Sequence, residues 1–174
     1  MTEAGLDRTE FETLVVKHGG ICFRVARALS NDDGLAEEIV QNAFLSAFRA
    51  RTGFRGQGSA RAWLITITRN AAYRELTKQQ QRPTESLSEL GSEAGWGSED
   101  PESVAIAAER KQALACALSE LDPADREILT LRDLEQLGGT ETCEILGIGL
   151  TAMKSRLHRA RLRLAVQLRK GASV

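Results

Sequence analysis

Apolar residues recur at three- and four-residue steps through most of this chain, and no stretch keeps the two-residue alternation of a strand. Phe11, Leu14, Val15, His18, Ile21, Cys22, Val25 and Leu29 trace one helical stripe, interrupted in its middle by Gly19-Gly20. His18 lies on that stripe and reads as a packed side chain rather than a ligand. After the turn cluster Asn31-Asp32-Asp33-Gly34, a second stripe runs without a break through Leu35, Ala36, Ile39, Val40, Ala43, Phe44, Ala47 and Phe48. Its opposite face carries Glu38, Gln41, Asn42, Leu45 and Arg49, so Leu45 stands as an apolar residue on a polar side. Helices of this kind bury their stripes on one another, and the expected fold is all-α.

Residues 49–58, with three glycines and three arginines, read as a loop. Ser59 suits an N-cap and opens a helix through about Gln80, with Ala60, Leu64, Ile67 and Ala71 as its inner stripe. A neighbouring stripe holds Thr66, Arg69, Asn70, Tyr73 and Thr77. Two readings of that polar, basic and aromatic stripe stay open: contact with nucleic acid, or a solvated face with one tyrosine. Residues 81–101, rich in Ser, Glu and Gly and without periodicity, read as a flexible acidic linker in which Trp96 docks at most transiently. A further helix is expected near 102–120, with Ala107, Leu114, Leu118 and Leu121 on one side. Asp122-Pro123 then supplies an N-cap and a proline at the first helical position, and Asp125 adds a carboxylate to the first turn. The expected organisation is two small helical domains, 1–82 and 102–174, joined by a flexible linker over 83–101.

A net charge of −1 conceals a strong segregation. Residues 46–82 hold eight basic side chains and one acid, residues 151–174 hold seven basic side chains and none, and residues 83–150 hold fifteen acids against four bases. This pattern predicts two anion-binding surfaces separated by a solvated acidic connector. No apolar run approaches the roughly 20 residues needed to cross a bilayer. Met1 to Glu12 carries four acids and no apolar signal core, so nothing marks the chain for export. Cys22, Cys116 and Cys143 are far apart and form neither a disulfide framework nor a zinc spacing, and each is expected to behave as a small apolar residue. With two histidines and no paired acid–base or nucleophile cluster, no catalytic residue, metal or cofactor is expected.

The C-terminal third carries the sharpest pattern. Thr140 to Leu146 is a short helix, Gly147-Ile148-Gly149 a tight turn, and a long helix begins near Leu150, which together make a helix-turn-helix. Cys143 keeps the first helix close to the second, and Ile148 pins the turn to the core. In the long helix Leu150, Met153, Leu157, Ala160, Leu164 and Leu168 are expected inward. Ala152, Ser155, Arg156, Arg159 and Arg163 are expected outward, flanked by Lys154, His158 and Arg161. That face bears no acid and fits a major groove, first turns on base edges and later arginines near phosphates. A basic amphipathic helix for a membrane surface or a partner protein is the competing reading, and the tight turn and short leading helix count against it.

The segment DPADREILTLRDLEQLGGTETCEILGIGLTAMKSRLHRARLRL resembles region four of the extracytoplasmic-function sigma factors, with KSRLHRAR as its most specific string. AEEIVQNAFLSAFRA is similar to that family's polymerase-binding helix, and FRGQGSARAWLITITRNAAYREL to its loop and helix for melting and reading the −10 element. The matches cover about residues 10–80 and 105–170, in the family's order. The resemblance implies a cytoplasmic, non-enzymatic transcription factor of the sigma-70 family, acting in a stress or environmental response. Its partners would be core RNA polymerase, promoter DNA and an anti-sigma factor. By the same resemblance Glu38, Val40, Gln41, Asn42, Phe44 and Leu45 would meet polymerase. Phe54, Arg55, Gly56, Trp63, Arg69, Asn70, Tyr73 and Arg74 would serve the −10 element, and Thr151, Ala152, Lys154, Ser155, Arg156, Arg159 and Arg163 the −35 element. Asn42 stands where the family usually has an acid, Gly149 where Ser is usual, Ala152 where Thr is common, and Gly138-Gly139 where the family is less flexible. These departures bear on the clamp contact and on promoter preference. The rivals are a stand-alone helix-turn-helix regulator, a sigma mimic that binds an anti-sigma protein, an RNA-binding module, and a hydrolase or deaminase, the last without any cluster to support it.

Overall fold

The computed structural model describes residues 5–56, 58–80 and 101–171, and for 101–107 the backbone alone. Among the described residues every regular element is helical. α1 (Arg8–Ser30) starts in a capping box: Asp7 Oδ1 accepts from the Glu10 N–H at 2.8 Å, and Glu10 Oε2 accepts from the Asp7 N–H at 2.8 Å. It runs unbroken through Gly19-Gly20 and stops at Asn31, whose left-handed backbone (φ 56°) returns its N–H to the Arg27 carbonyl. Asp32 caps α2 (Asp33–Ala50) by accepting from the Leu35 N–H at 2.7 Å. Ser59 caps α3 (Ala60–Gln80), its Oγ accepting from the Ala62 N–H at 3.3 Å.

These three helices pack on one another around Ile21, Val25, Leu29, Ile39, Leu64 and Ile65, with Ala26, Ala36, Ala43, Ala47, Ala62 and Ala72 buried between them. So many buried alanines let the helix axes approach closely. The inner stripe of α3 differs from the sequence expectation. Leu64 and Ala71 are buried as expected, but Ala62, Ile65, Thr68 and Ala72 share the core while Ala60 and Ile67 are only partly covered. Thr68 enters the core because its hydroxyl donates to the Leu64 carbonyl at 3.1 Å. Cys22 is fully buried and burial pushes its thiol up to about 11, so it is an inert packing residue.

The remaining helices are α4 (Pro101–Ser119), α5 (Pro123–Leu129), α6 (Gly139–Leu146) and α7 (Leu150–Gly171), with a π-helical turn over Thr130–Leu134 continuing α5. Their core is Ile128, Leu129, Leu131, Leu137, Ile145, Leu146, Met153, Leu157 and Ala160. Leu114, Leu150 and Leu168 were expected inside and are exposed: Leu150 opens α7 and Leu168 lies in its last turn, so the stripe outruns the helices it packs on. Asp122 occupies the N-cap of α5, yet its side chain makes no capping bond. Its backbone carbonyl accepts from the Asp125 and Arg126 N–H groups instead, at 2.9 and 3.1 Å. The expected linker lies, apart from Pro101, outside the described residues, as does Trp96.

The two sets of helices are in contact, α1 against α5 and α3 against α6, and the buried apolar residues form one continuous cluster from Phe11 to Ala160. Arg126 joins them. Its guanidinium donates to the carbonyls of Ala28 and Leu29, at the end of α1, and to those of Ser119 and Leu121, at the end of α4. The last carbonyls of a helix have no partner of their own, so one buried cation closes two helix ends. Arg126→Ala should destabilise the full chain by about 2–3 kcal/mol in urea denaturation, because the freed carbonyls stay shielded from water. Arg126→Lys should recover only part of this, since an ammonium lacks the planar fork.

Candidate nucleic-acid and polymerase interface

The loop between α2 and α3 begins at a 3₁₀ turn over Arg51–Gly53. Arg51 donates to the Phe48 carbonyl at 2.6 Å and lies over the Phe48 ring, 3.8 Å from its centroid, while Phe48 meets the Phe11 ring edge-on at 5.5 Å. The Phe54 and Trp63 rings are tilted against each other, centroids 5.2 Å apart, which ties the loop to the first turn of α3. Between them the loop exposes Arg55 and Gly56, the latter with φ 66°. Gly58 has φ 89°, and a Cβ there would collide with the Glu144 carboxylate of α6. The positive φ favours glycine there, while the Glu144 carboxylate, at the end of a flexible side chain, could swing aside.

On α3, Asn70 and Arg74 are exposed, whereas Arg69 and Tyr73 turn toward α5. There Glu127 sits with no accessible side-chain surface. Its Oε1 accepts from Arg69 Nε at 2.6 Å, its Oε2 accepts from the Tyr73 hydroxyl at 3.1 Å, and Arg156 Nη2 of α7 approaches Oε2 to 3.9 Å. Burial holds the Glu127 carboxyl above the ordinary range despite the two arginines. The stripe predicted to serve the −10 element and the first arginine of the stripe predicted to serve the −35 element thus converge on one carboxylate.

Two more acid–arginine forks lie alongside. Arg24 of α1 donates through Nε and Nη2 to Glu135, just after the π-helical turn. Arg61 of α3 donates through Nε, at 2.8 Å, and Nη2 to Glu141 of α6. The acidic stretch, expected as a solvated connector, therefore includes three carboxylates committed to arginines of the N-terminal helices. The same stretch also meets α7: Arg163 Nη1 donates to the buried Asp125 at 2.5 Å, and Arg161 donates to Asp133 at 2.5 and 3.0 Å. The outward face of α7 carries no acid of its own, but part of its charge is answered from α5 and the turn after it. Sequence reasoning missed Glu127, Glu135 and Glu141 as interface residues. The signal was a glutamate beside Ile128 in a helix too short to hide it from its neighbours.

The helix-turn-helix is present. Gly147 ends α6 in the left-handed region (φ 65°), the partly buried Ile148 returns its N–H to the Cys143 carbonyl at 3.2 Å, and Gly149 accepts from the Met153 N–H at 2.9 Å to start α7. Thr151, Ala152, Lys154, Ser155 and Arg159 are exposed on α7, and Arg156 is half-buried. Lys154 and Arg159 have no acidic partner among the described residues. On α2, Glu38, Gln41, Asn42 and Leu45 share an open face, Leu45 with 57% of its surface exposed. Val40 and Phe44, expected with them, pack partly against the core and present only an edge.

Residues 14–82 match the family profile for sigma-70 region 2, and residues 111–164 that for sigma-70 region 4. The chain is 29% identical over 163 residues to the ECF RNA polymerase sigma-E factor of Escherichia coli strain K12, covering 89% of this chain and 84% of that protein. It is 31% identical over 159 residues to the ECF RNA polymerase sigma factor SigM of Mycobacterium tuberculosis, covering 91% and 77%. Its fold superposes with a TM-score of 0.74 and 25% identity on the sigma factor RpoE of Bartonella quintana, solved in complex with the anti-sigma factor NepR, over 92% of this chain and 98% of that one. With two helical blocks in that order and a helix-turn-helix in the second, the chain belongs to the extracytoplasmic-function sigma factors of the sigma-70 family, non-enzymatic factors that direct transcription initiation. Among the described residues no helix is long and apolar enough to cross a membrane.

Tyr73 is the only tyrosine of the chain, so tyrosinate absorbance reports this site alone. Burial and then the Glu127 charge raise its pKa, and the phenol should titrate above its ordinary value of about 10. Glu127→Gln should bring it part of the way back. The raised value means that the neutral phenol stabilises this arrangement below about pH 10, a contribution lost as pH climbs through the folded-state pKa.

Proposed function

We propose that this sigma factor docks on core RNA polymerase through the outer face of α2, with Leu45 as its apolar anchor among Glu38, Gln41 and Asn42. An exposed leucine ringed by polar groups is the arrangement expected of a contact that must be soluble when free. Val40 and Phe44 support that face from beneath. The −10 element is received by the loop and α3. Phe54 and Trp63 offer an aromatic platform for an unpaired base, Arg55 and Gly56 approach the backbone, and Arg69, Asn70, Tyr73 and Arg74 continue the surface. α7 enters the −35 major groove with Thr151, Ala152, Lys154, Ser155, Arg156 and Arg159 near base edges and phosphates, and Arg163 toward its exit. The single observation that carries this reading is the helix-turn-helix whose second helix exposes Lys154, Ser155 and Arg159 with no acid opposite them. An anti-sigma factor is the further partner, as in the Bartonella quintana complex.

Transcription by core polymerase from a library of −35 variants tests the assignment. Arg156→Ala should cost roughly 1–3 kcal/mol and relax preference at one −35 position. Arg163→Ala should weaken all promoters alike and reduce the salt slope by about one. Leu45→Ala should lower recovery of the chain on immobilised core enzyme while leaving its thermal unfolding unchanged. Equal loss at every promoter for Arg156→Ala would make that residue a phosphate contact.

A further inference from the structure

The residues just ahead of α1 are fastened to the root of the loop between α2 and α3. The Leu6 N–H donates to the Arg51 carbonyl at 3.0 Å, and the Phe54 N–H donates to the same carbonyl at 3.2 Å. A carbonyl oxygen has two lone pairs, so this one atom holds both segments. Gly5 lies against the next residue of the turn. A Cβ on Gly5 would overlap the carbonyl oxygen, the carbonyl carbon and the Cα of Thr52. All three are backbone atoms, and they cannot swing aside as the end of a side chain can. A Cβ on Gly53, in the same turn, would meet nothing within 4 Å. The surroundings of this contact are stiff. The capping box of Asp7 and Glu10 fixes the chain directly after Leu6. Phe11 is buried against Phe48, whose ring lies beneath the Arg51 guanidinium. The turn Arg51–Gly53 is therefore held from two sides, by the first turn of α1 and by the residues before it. Phe54 follows that turn at once, and its ring lies against Trp63.

We infer that Gly5 and Leu6 are positioning residues for the −10 surface. They pin the root of the loop, which keeps Phe54 against Trp63 and sets where Arg55 and Gly56 project. This rests on the −10 assignment proposed above, and both residues act through Phe54 rather than on DNA themselves. A loop whose root is already fixed has less freedom to lose when a base is bound. Gly5 is the residue on which the contact turns, because any side chain there drives two backbones apart.

The test uses the full chain carrying Gly5→Ala, with Gly53→Ala as a matched control that adds the same methyl to open space. Protection of the Leu6 and Phe54 amides against hydrogen exchange reads the anchorage. Transcription by core polymerase from templates randomised through the −10 element reads its consequence. Gly5→Ala should lose protection at both amides and lower output from the preferred templates roughly tenfold, the worth of about one stacked base. Its recovery on immobilised core enzyme and its thermal unfolding should stay unchanged, since a general loss of folded chain would lower both. Gly53→Ala should match the unaltered chain in every readout. Loss of protection at Leu6 alone, with Phe54 still protected, would mean that the segment rides on the loop and does not hold it. Protection lost at both amides with full transcription would overturn the positioning role. Phe54→Ala separates this inference from the reading beneath it. An unchanged −10 preference for that variant would remove the −10 assignment and the positioning role with it, while the amides report the anchorage without reference to DNA.

Discussion

Glu127 carries a carboxylate into a place with no accessible surface, on a helix only seven residues long. An isolated charge could not stay there, because desolvation alone would neutralise it or expel the helix. Arg69, Tyr73 and Arg156 make the position tolerable, and they arrive from α3 and α7. The seat of α5 between the two sets of helices follows from that need. Arg126, the residue before it, turns to the other side of α5 and satisfies backbone carbonyls of α1 and of the chain at the end of α4. Consecutive residues of opposite charge thus hold one short helix against both halves, and Ile128 and Leu129 fill the apolar space between.

The same geometry gives the charge segregation of the sequence a structural meaning. Among the described residues, Asp125, Glu127, Asp133, Glu135 and Glu141 of the acidic stretch each face an arginine from another helix. Arginine's planar fork suits a carboxylate, and Arg24 and Arg61 each use it on a glutamate from the C-terminal helices. Lys154, Arg159 and Arg55 stay outside these pairs and are among the described cations that face solvent without an acidic partner.

Much of this was legible in the sequence because helix ends are local. Ser59 before α3, Asn31 after α1, Pro123 in α5 and Gly147 before α7 all act within a few residues of themselves, and each falls where its chemistry predicts. The inner face of α3 was harder to read. Ala62 and Ala72 carry little hydrophobic signal, so the apolar pattern points to Ile67 where Ile65 is the buried residue. The pairing of Glu127 was beyond reach for another reason: its two hydrogen-bond partners lie 58 and 54 residues away, and no periodicity links them. The exposed side of α7 was right in outline, but its cations appeared unopposed because Asp125 and Asp133 sit on another helix and on the turn that follows it.

The Arg126 clip has a consequence for how the chain acquires its fold. Arg126 and the Ala28 carbonyl it meets are 98 residues apart, whereas α1, α2 and α3 pack through contacts between sequence neighbours. Local contacts form early and cheaply, while a closure over so long a separation carries a larger loop entropy. The N-terminal bundle can therefore assemble while the end of α1 is still frayed, with the Ala28 and Leu29 carbonyls bonded to water. The Ala28 and Leu29 carbonyls gain their guanidinium partner only when α5 arrives, so the C-terminal end of the first helix depends on a residue 98 positions further along the chain.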